Sequence, residues 1–213
     1  MVAALSHVVR LYTDTLAARA EAAHPARVRG IYVADGMATL ACDGAMATLA
    51  AHSGWAASGA LTVRAGAAGA RLLRYELTRG GAADGAVTLE HELVLDAPPY
   101  LLRLDKVELP PGGKAYRHQH QGGGIRCLLY GGFTIESEGK TTRIGPGEAW
   151  FERGPDPVFA YAPDDKPAGF ARMMILPRAL VGKSSIRYLD PEDQAKPKPQ
   201  TYTVYVDQPI DLP

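Results

Sequence analysis

The sequence repeats itself over a distance of 95 residues, and this repeat restricts the fold more than any other feature. Residues 35–55, DGMATLACDGAMATLAAHSGW, align without a gap with residues 130–150, YGGFTIESEGKTTRIGPGEAW. Trp55 and Trp150, the only tryptophans, fall on the same position of the two segments. Glycines coincide as well, at Gly36 and Gly131, Gly44 and Gly139, and Gly59 and Gly154. The repeat predicts two copies of one structural unit in tandem.

Most of the chain has the pattern of short β-strands. From Arg29 onward, apolar or alternating runs such as GIYVA, LTVRA, IRCLLYG and TYTVYV are separated by Gly, Pro or Asp. With 23 Gly and 16 Pro, the chain is frequently interrupted, as in an all-β barrel or sandwich. Residues 3–22 are rich in Ala and Leu and lack Pro and Gly, which favours a short N-terminal helix, with a strand at HVVRLYT as the alternative.

Charge and composition exclude several classes of partner. Lys plus Arg and Asp plus Glu both total 23, and no basic cluster stands out, so we expect no nucleic-acid partner. No apolar run approaches the length of a membrane span, and the first residues make a poor signal peptide, so a cytoplasmic protein without membrane contact is expected. Cys42 and Cys127 belong to no CxxC pair and are predicted to be reduced.

The segment RHQHQGGGIRCLL, residues 117–129, carries the clearest chemical signal. His118 and His120 are two residues apart, so in a strand both imidazoles project from the same face. Two imidazoles reach one transition metal in this way. The glycines at 122–124 leave space beside the histidines or let a backbone or ligand approach closely, or else form a flexible turn.

This segment resembles the first motif of the cupin family. That motif is a glycine, five residues, H-x-H, three or four residues, a glutamate, and six residues before a glycine. Gly112, His118, His120, Gly124 and Gly131 follow this spacing, with glycine at the glutamate position. The resemblance implies two double-stranded β-helix (jelly-roll) barrels in tandem, a bicupin. It covers residues 100–177 and extends weakly, through the repeat, to 30–77.

The resemblance also implies a metal site that this chain only half retains. The second cupin motif begins at Gly147, but Val158 stands at its histidine position. Only His118 and His120 remain as ligands, so the expected cofactor is one divalent transition metal (Fe, Mn, Ni or Zn), completed by another group, or none. Gln121, Glu152 and Tyr161 are the candidates nearby in sequence.

Arg126 is the second candidate site residue. It shares the parity of position 124, which faces the barrel interior in the family. An inward guanidinium requires a partner because an unpaired buried charge is costly. Glu152, Glu148 or a substrate carboxylate are the alternatives, and a register error that places Arg126 outside is another. We expect Arg126, Glu152 and Tyr161 to contact a small, anionic ligand.

Three functions are compatible with these residues. The first is a metal-dependent enzyme of the dioxygenase, isomerase or cyclase class, acting on a small carboxylate held by Arg126. The second is a non-catalytic small-ligand-binding or sensor barrel without a tightly bound metal, and the third is a purely structural role. The fold alone does not choose among them.

The expected domain organisation follows the repeat. Residues 1–85 form a degenerate first copy that has lost or replaced its opening strands. Residues 86–180 form the second copy with the histidine motif, and residues 181–213 form an extended arm ending in a strand. That strand either completes the first barrel or pairs with a second chain, as in a homodimer.

Overall fold

The computed structural model describes residues 5–95 and 99–212, and these residues are organised almost entirely as antiparallel β-sheet. The strands of the first copy are β1 (Leu5–Leu16), β2 (Glu21–His24), β3 (Val28–Cys42), β4 (Ala45–Ala50), β5 (Ser53–Ala57), β6 (Leu61–Thr78) and β7 (Leu89–Leu95). They form one curved sheet with the order β4-β3-β6-β1-β7, in which β2 pairs with β6 and β5 with β3.

The second copy consists of two five-stranded sheets. Its strands are β8 (Tyr100–Leu109), β9 (Lys114–His120), β10 (Gly124–Tyr130), β11 (Phe133–Ser137), β12 (Lys140–Ile144), β13 (Ala149–Glu152), β14 (Val158–Tyr161), β15 (Ala168–Pro177), β16 (Ile186–Tyr188) and β17 (Thr201–Ile210). One sheet has the order β13-β10-β15-β8-β17, and the other has the order β12-β11-β14-β9-β16. A 3₁₀ turn (Arg178–Leu180) and a short helix, α1 (Pro191–Ala195), lie in the connections.

The strand pairing repeats along the chain as the sequence repeat predicts. The long strand β3 corresponds to β10 and β11 together, and β6 corresponds to β14 and β15. The opening strand β1 pairs with β6 as β8 pairs with β15, and β2 pairs with β6 as β9 pairs with β14. Strands β1 and β2 therefore occupy the opening positions of the first copy, so these strands are not lost, and their replacement stays a prediction.

The helix expected near the N-terminus is also wrong, because residues 5–16 form strand β1. Val9 and Leu11 are fully buried on one face, whereas Arg10 and Tyr12 lie on the other, which is the period of a strand. The strand is hydrogen-bonded on both sides, to β6 and to β7. This pairing, with its β-branched residues, overrides the helix preference of Ala and Leu.

The two copies pack against each other through one apolar core. Val9, Leu73 and Tyr75 of the first copy share this core with Leu104 and Met173 of the second. The hydroxyl of Tyr75 donates a hydrogen bond to the Ala171 carbonyl oxygen at 3.0 Å. Both cysteines are buried and form no disulfide with each other, and Cys127 lies in this shared core.

The C-terminal arm pairs with the second copy of its own chain. Strand β16 extends the sheet beyond β9, and β17 extends the other sheet beyond β8. The arm thus spans the edge at which the two sheets of the second copy face each other. The last strand therefore does not complete the first barrel, and pairing of its outer edge with a second chain stays a prediction. No helix in the described residues is long and apolar enough to cross a membrane.

Candidate functional site

The two histidines of the H-x-H segment lie inside the second barrel. His118 and His120 are 4% and 5% exposed and project to the same side of β9, as the strand period predicts. Their rings meet edge to face with centroids 4.9 Å apart, and their Nε2 atoms are 3.2 Å apart. Burial lowers the pKa of both side chains, that of His120 far below its ordinary value, so both imidazoles are neutral near pH 7.

Hydrogen bonds assign a consistent tautomer to each ring. His118 Nδ1 lies 2.6 Å from the Tyr116 carbonyl oxygen, which only accepts, so His118 carries its proton on Nδ1 and has a free lone pair on Nε2. His120 then donates from Nε2 to that lone pair. Its Nδ1 accepts from the Ser185 hydroxyl at 3.3 Å. Both rings therefore have partners within the protein.

The carboxylate missing from position 124 is supplied by the neighbouring strand. Gly124 of β10 lies directly opposite Glu152 of β13. A Cβ on Gly124 would collide with the Met173 carbonyl oxygen of β15, so only glycine fits there. Glu152 Oε2 lies 3.3 Å from His120 Nε2, and Glu152 Oε1 accepts a hydrogen bond from the Trp150 indole at 2.8 Å. The position of the lost second-motif histidine, Val158, lies opposite His118.

Arg126 points into the barrel, as its parity predicts, and is 1% exposed. Its Nη2 lies 2.8 Å from Glu152 Oε2, and its Nη1 donates to the Gly124 carbonyl oxygen at 2.6 Å. Glu152 is therefore the carboxylate that forms the ion pair with Arg126. Glu148 instead accepts a hydrogen bond from the backbone amide of Gly145 within the turn between β12 and β13. Burial lowers the pKa of Arg126 to about 10, which still leaves it charged at neutral pH.

The residues present do not fit a tightly held metal ion. Two imidazoles are too few, because zinc sites have at least three protein ligands. The third donor within reach, Glu152 Oε2, is already ion-paired with Arg126. Within residues 5–95 and 99–212, no group of three or more His, Cys, Asp or Glu side chains is arranged to hold a metal.

Tyr161 is not part of this group. Val158 and Ala160 of β14 are buried in the barrel, whereas Tyr161 alternates to the outer side, where its ring lies 5.7 Å from that of Phe159. Gln121 lies beyond the end of β9, with its backbone amide bonded to the Ser185 carbonyl oxygen. The Gly122 and Gly123 positions are crowded by the backbone of β15 and of residue 153, so their glycines serve a close backbone approach and no flexible turn.

Sequence reasoning missed a second ion pair beside the first. Arg172 of β15 donates from Nε and Nη2 to the carboxylate of Asp105 on β8, at 2.7 and 3.0 Å. Both side chains are at least 95% buried. The sequence does contain a signal for this pair. In YLLRLDKVEL, Arg103 and Asp105 alternate with Leu102 and Leu104, and charged residues that alternate along a buried strand share one face and require partners there.

The C-terminal arm contributes the remaining residues. Gln200 and Tyr202 line the small space between the histidines and Arg172, a cavity of about 30 Å³ that holds no more than one water molecule. Gln200 Oε1 is buried there without a hydrogen-bond partner among the described residues. A larger cavity of about 330 Å³ adjoins this space under the arm and shares Arg172, Ile186 and Tyr202 with it.

Comparison with known proteins identifies the architecture. No protein-family model matches the sequence, and no curated protein matches it. An oxalate decarboxylase–formate complex from Lactobacillus farciminis superposes with a TM-score of 0.67 and 12% identity, over 90% of this chain and 82% of that one. AerE from Microcystis aeruginosa gives 0.61 and 14%, over 80% and 88%. A cupin 2 conserved barrel domain protein from Leptotrichia buccalis gives 0.50 and 14%, over 78% and 83%.

These likenesses concern the fold, since all of the identities are low. The similarity to an oxalate decarboxylase covers nine-tenths of this chain and therefore includes both copies. Together with the strand pairing, it confirms the expected tandem of jelly-roll barrels. The chain has the cupin fold, built as a bicupin.

Proposed function

We propose that this protein is a small-molecule-binding cupin whose ligand lies in the 330 Å³ cavity beneath the C-terminal arm. One observation carries the proposal: this cavity is large enough for a small molecule and adjoins the inner space that contains the two histidines. The inner space itself is too small for anything beyond a water molecule.

The charges around the cavity favour an anionic ligand. Arg103, Arg172 and Lys183 line it together with only two carboxylates, Asp105 and Asp207. Arg172 is bound by Asp105, and Arg103 donates to Asp207 at 2.8 Å, so Lys183 is the cation in excess. A ligand with one negative charge, such as a small carboxylate, balances this excess.

The apolar part of the cavity favours a ligand with a ring or a short hydrocarbon group. Ile186, Tyr202 and Val204 form this part, and the Tyr202 ring lies over the Arg172 guanidinium at 5.6 Å. Tyr202 and Val204 are unusually exposed for large apolar side chains, at 43% and 51%. A bound ring would cover them and gain hydrophobic free energy.

This proposal adopts the binding-barrel alternative and moves the anion contact from Arg126 to the cavity under the arm. Arg126 already has a carboxylate partner in Glu152, so a second anion there has no free charge to meet. The metal-dependent enzyme class needs a third metal ligand that the described residues do not offer.

Calorimetric titration with matched acid–amide pairs tests the proposal. We expect benzoate and propionate to bind, and each to bind more tightly than its uncharged amide. Lys183→Glu should weaken carboxylate binding about tenfold, or about 1.4 kcal/mol, because it replaces the surplus cation by an anion. Lys166→Glu, an exposed change that does not line the cavity, is the matched control. Amides that bind as tightly as acids, or equal losses in both variants, would contradict the proposal.

A further inference from the structure

We infer that Arg126 occupies, beside His118 and His120, the place that a metal ion takes in a barrel with a complete ligand set. The positive charge of this barrel is then a side chain of the protein. The inference concerns the interior of the second copy alone and holds whether or not the ligand under the arm is a carboxylate.

Three donor atoms beside Arg126 lie close to one another. His118 Nε2 and His120 Nε2 are 3.2 Å apart, and His120 Nε2 and Glu152 Oε2 are 3.3 Å apart. Neighbouring ligands on zinc lie about 3.0 to 3.4 Å apart when each bond is about 2.1 Å long. The cation that contacts this oxygen of Glu152 is the guanidinium of Arg126, whose Nη2 lies 2.8 Å away.

The backbone at the lost glutamate position binds the same guanidinium. Arg126 Nη1 donates to the Gly124 carbonyl oxygen at 2.6 Å, and the carboxylate of Glu152 comes from the residue opposite Gly124. One cation thus neutralises the relocated carboxylate and contacts the backbone where the family's glutamate would stand. The imidazoles meanwhile satisfy each other, His120 donating to His118.

This arrangement has a chemical consequence. A guanidinium carries a permanent charge and five hydrogen-bond donors, but it has no open coordination position and is not removed by a chelator. The barrel interior therefore provides a fixed positive charge and neutral imidazoles, without Lewis acidity.

Removing Arg126 should unmask a metal site. In Arg126→Ala, Glu152 loses its ion pair, and His118, His120 and Glu152 become a set of two histidines and one carboxylate with room for an ion. The experiment uses the full chain without a polyhistidine tag, stripped with a chelator and then equilibrated with one equivalent of Co²⁺. Bound cobalt is measured by elemental analysis, and its ligand field by visible absorption.

We expect wild-type protein to retain almost no cobalt and Arg126→Ala to bind it stoichiometrically, with a visible spectrum that disappears in Arg126→Ala/Glu152→Gln. Arg126→Met serves as a second variant, because its side chain refills part of the space if the alanine variant does not fold. Arg103→Met removes another cation near the cavity but leaves the pair of Arg126 and Glu152 intact, so it should bind no cobalt.

Two results would overturn the inference. Stoichiometric cobalt in the wild-type protein, lost on His118→Ala, would mean that a metal and Arg126 occupy the barrel together. No gain of cobalt in either folded Arg126 variant would mean that Arg126 does not block a site.

Discussion

The two copies share their strand pairing but use their interiors differently. In the first copy, the central strand carries Glu76, which lies opposite Arg10 on one side and Arg29 on the other. Trp55 lies opposite Ile31 as Trp150 lies opposite Arg126, so Met174, opposite Gly124, is the second copy's counterpart of Glu76. Arg172 is the counterpart of Arg74, and its carboxylate partner, Asp105, comes from β8. The central strand thus carries a buried carboxylate beside its arginine in the first copy, and the arginine alone in the second.

The first interior neutralises itself. Glu76 is fully buried and forms ion pairs with Arg27, Arg29 and Arg74 at 3.0, 3.3 and 2.6 Å. Arg74 also pairs with Asp14 at 2.6 Å and with Asp84 at 3.5 Å, so three carboxylates face the three arginines, and it stacks on the Tyr12 ring at 3.9 Å. With its charges matched internally, this interior has a structural role.

The second interior has no such internal balance of charge. Its cations outnumber its carboxylates by one once Lys183 at the cavity wall is included, and its histidines are neutral. A cavity of about 330 Å³ lies next to these groups. Under the proposed function, the first copy of the repeat stabilises the molecule while the second carries the binding site.

The largest expected difference between the copies is in stability. Glu76→Gln should lower the free energy of unfolding by about 5 kcal/mol, because several buried guanidinium groups lose one common partner. Glu152→Gln should lower it by about 3 kcal/mol, because only Arg126 loses its carboxylate and keeps its bond to Gly124. Urea unfolding measures both values.

Exposed glutamates are the controls for this pair. Glu21→Gln in the first copy and Glu136→Gln in the second should each change stability by less than about 0.5 kcal/mol. A Glu152→Gln variant less stable than Glu76→Gln would reverse the division of roles between the copies.

At equivalent glycine turns, we expect substitutions to lower the free energy of unfolding by a smaller amount that is equal in the two copies. Gly36 and Gly131 both have positive φ (75° and 85°), and a Cβ at either would collide with a backbone carbonyl of the adjacent strand. Alanine at each should cost about 2 to 3 kcal/mol in thermal or urea unfolding. Gly44→Ala and Gly139→Ala, also at positive φ but with open space around the Cβ, should cost about 1 kcal/mol.

This result would sharpen the comparison in a definite way. Equal costs within each pair indicate that the two copies are strained at the same turns. A costly Gly131 variant with a neutral Gly36 variant would indicate that the repeat has diverged in backbone geometry.

The sequence predicts the fold well because the fold rests on periodic features. The spacing of tryptophans and glycines reports turns that recur in both copies, and the alternation around His118 and Arg126 places their side chains inside correctly. The N-terminal strand escapes this reasoning because its central position, paired with β6 and β7, decides its conformation.

The composition of the site is predicted less well, because it depends on contacts across strands. Gly124 and Glu152 are 28 positions apart. Only the register of β10 and β13 brings the Glu152 carboxylate to the place of the side chain that position 124 lacks. Tyr161 was assigned by proximity in sequence and lies on the wrong face. The C-terminal arm contributes Ser185, Gln200 and Tyr202. No local sequence pattern predicts that this arm pairs with β8 and β9.

The most direct test of the account is methyl NMR of methionine-labelled protein during titration with benzoate. Met174 Sδ lies 3.9 Å from Arg126 Nη2 and 4.0 Å from the Ser185 hydroxyl beside the cavity, whereas Met37 and Met46 lie in the first copy. The account predicts that benzoate shifts the Met174 methyl resonance and leaves those of Met37 and Met46 unchanged. Shifts at Met37 or Met46 with a stationary Met174 would place the ligand in the first copy and contradict it.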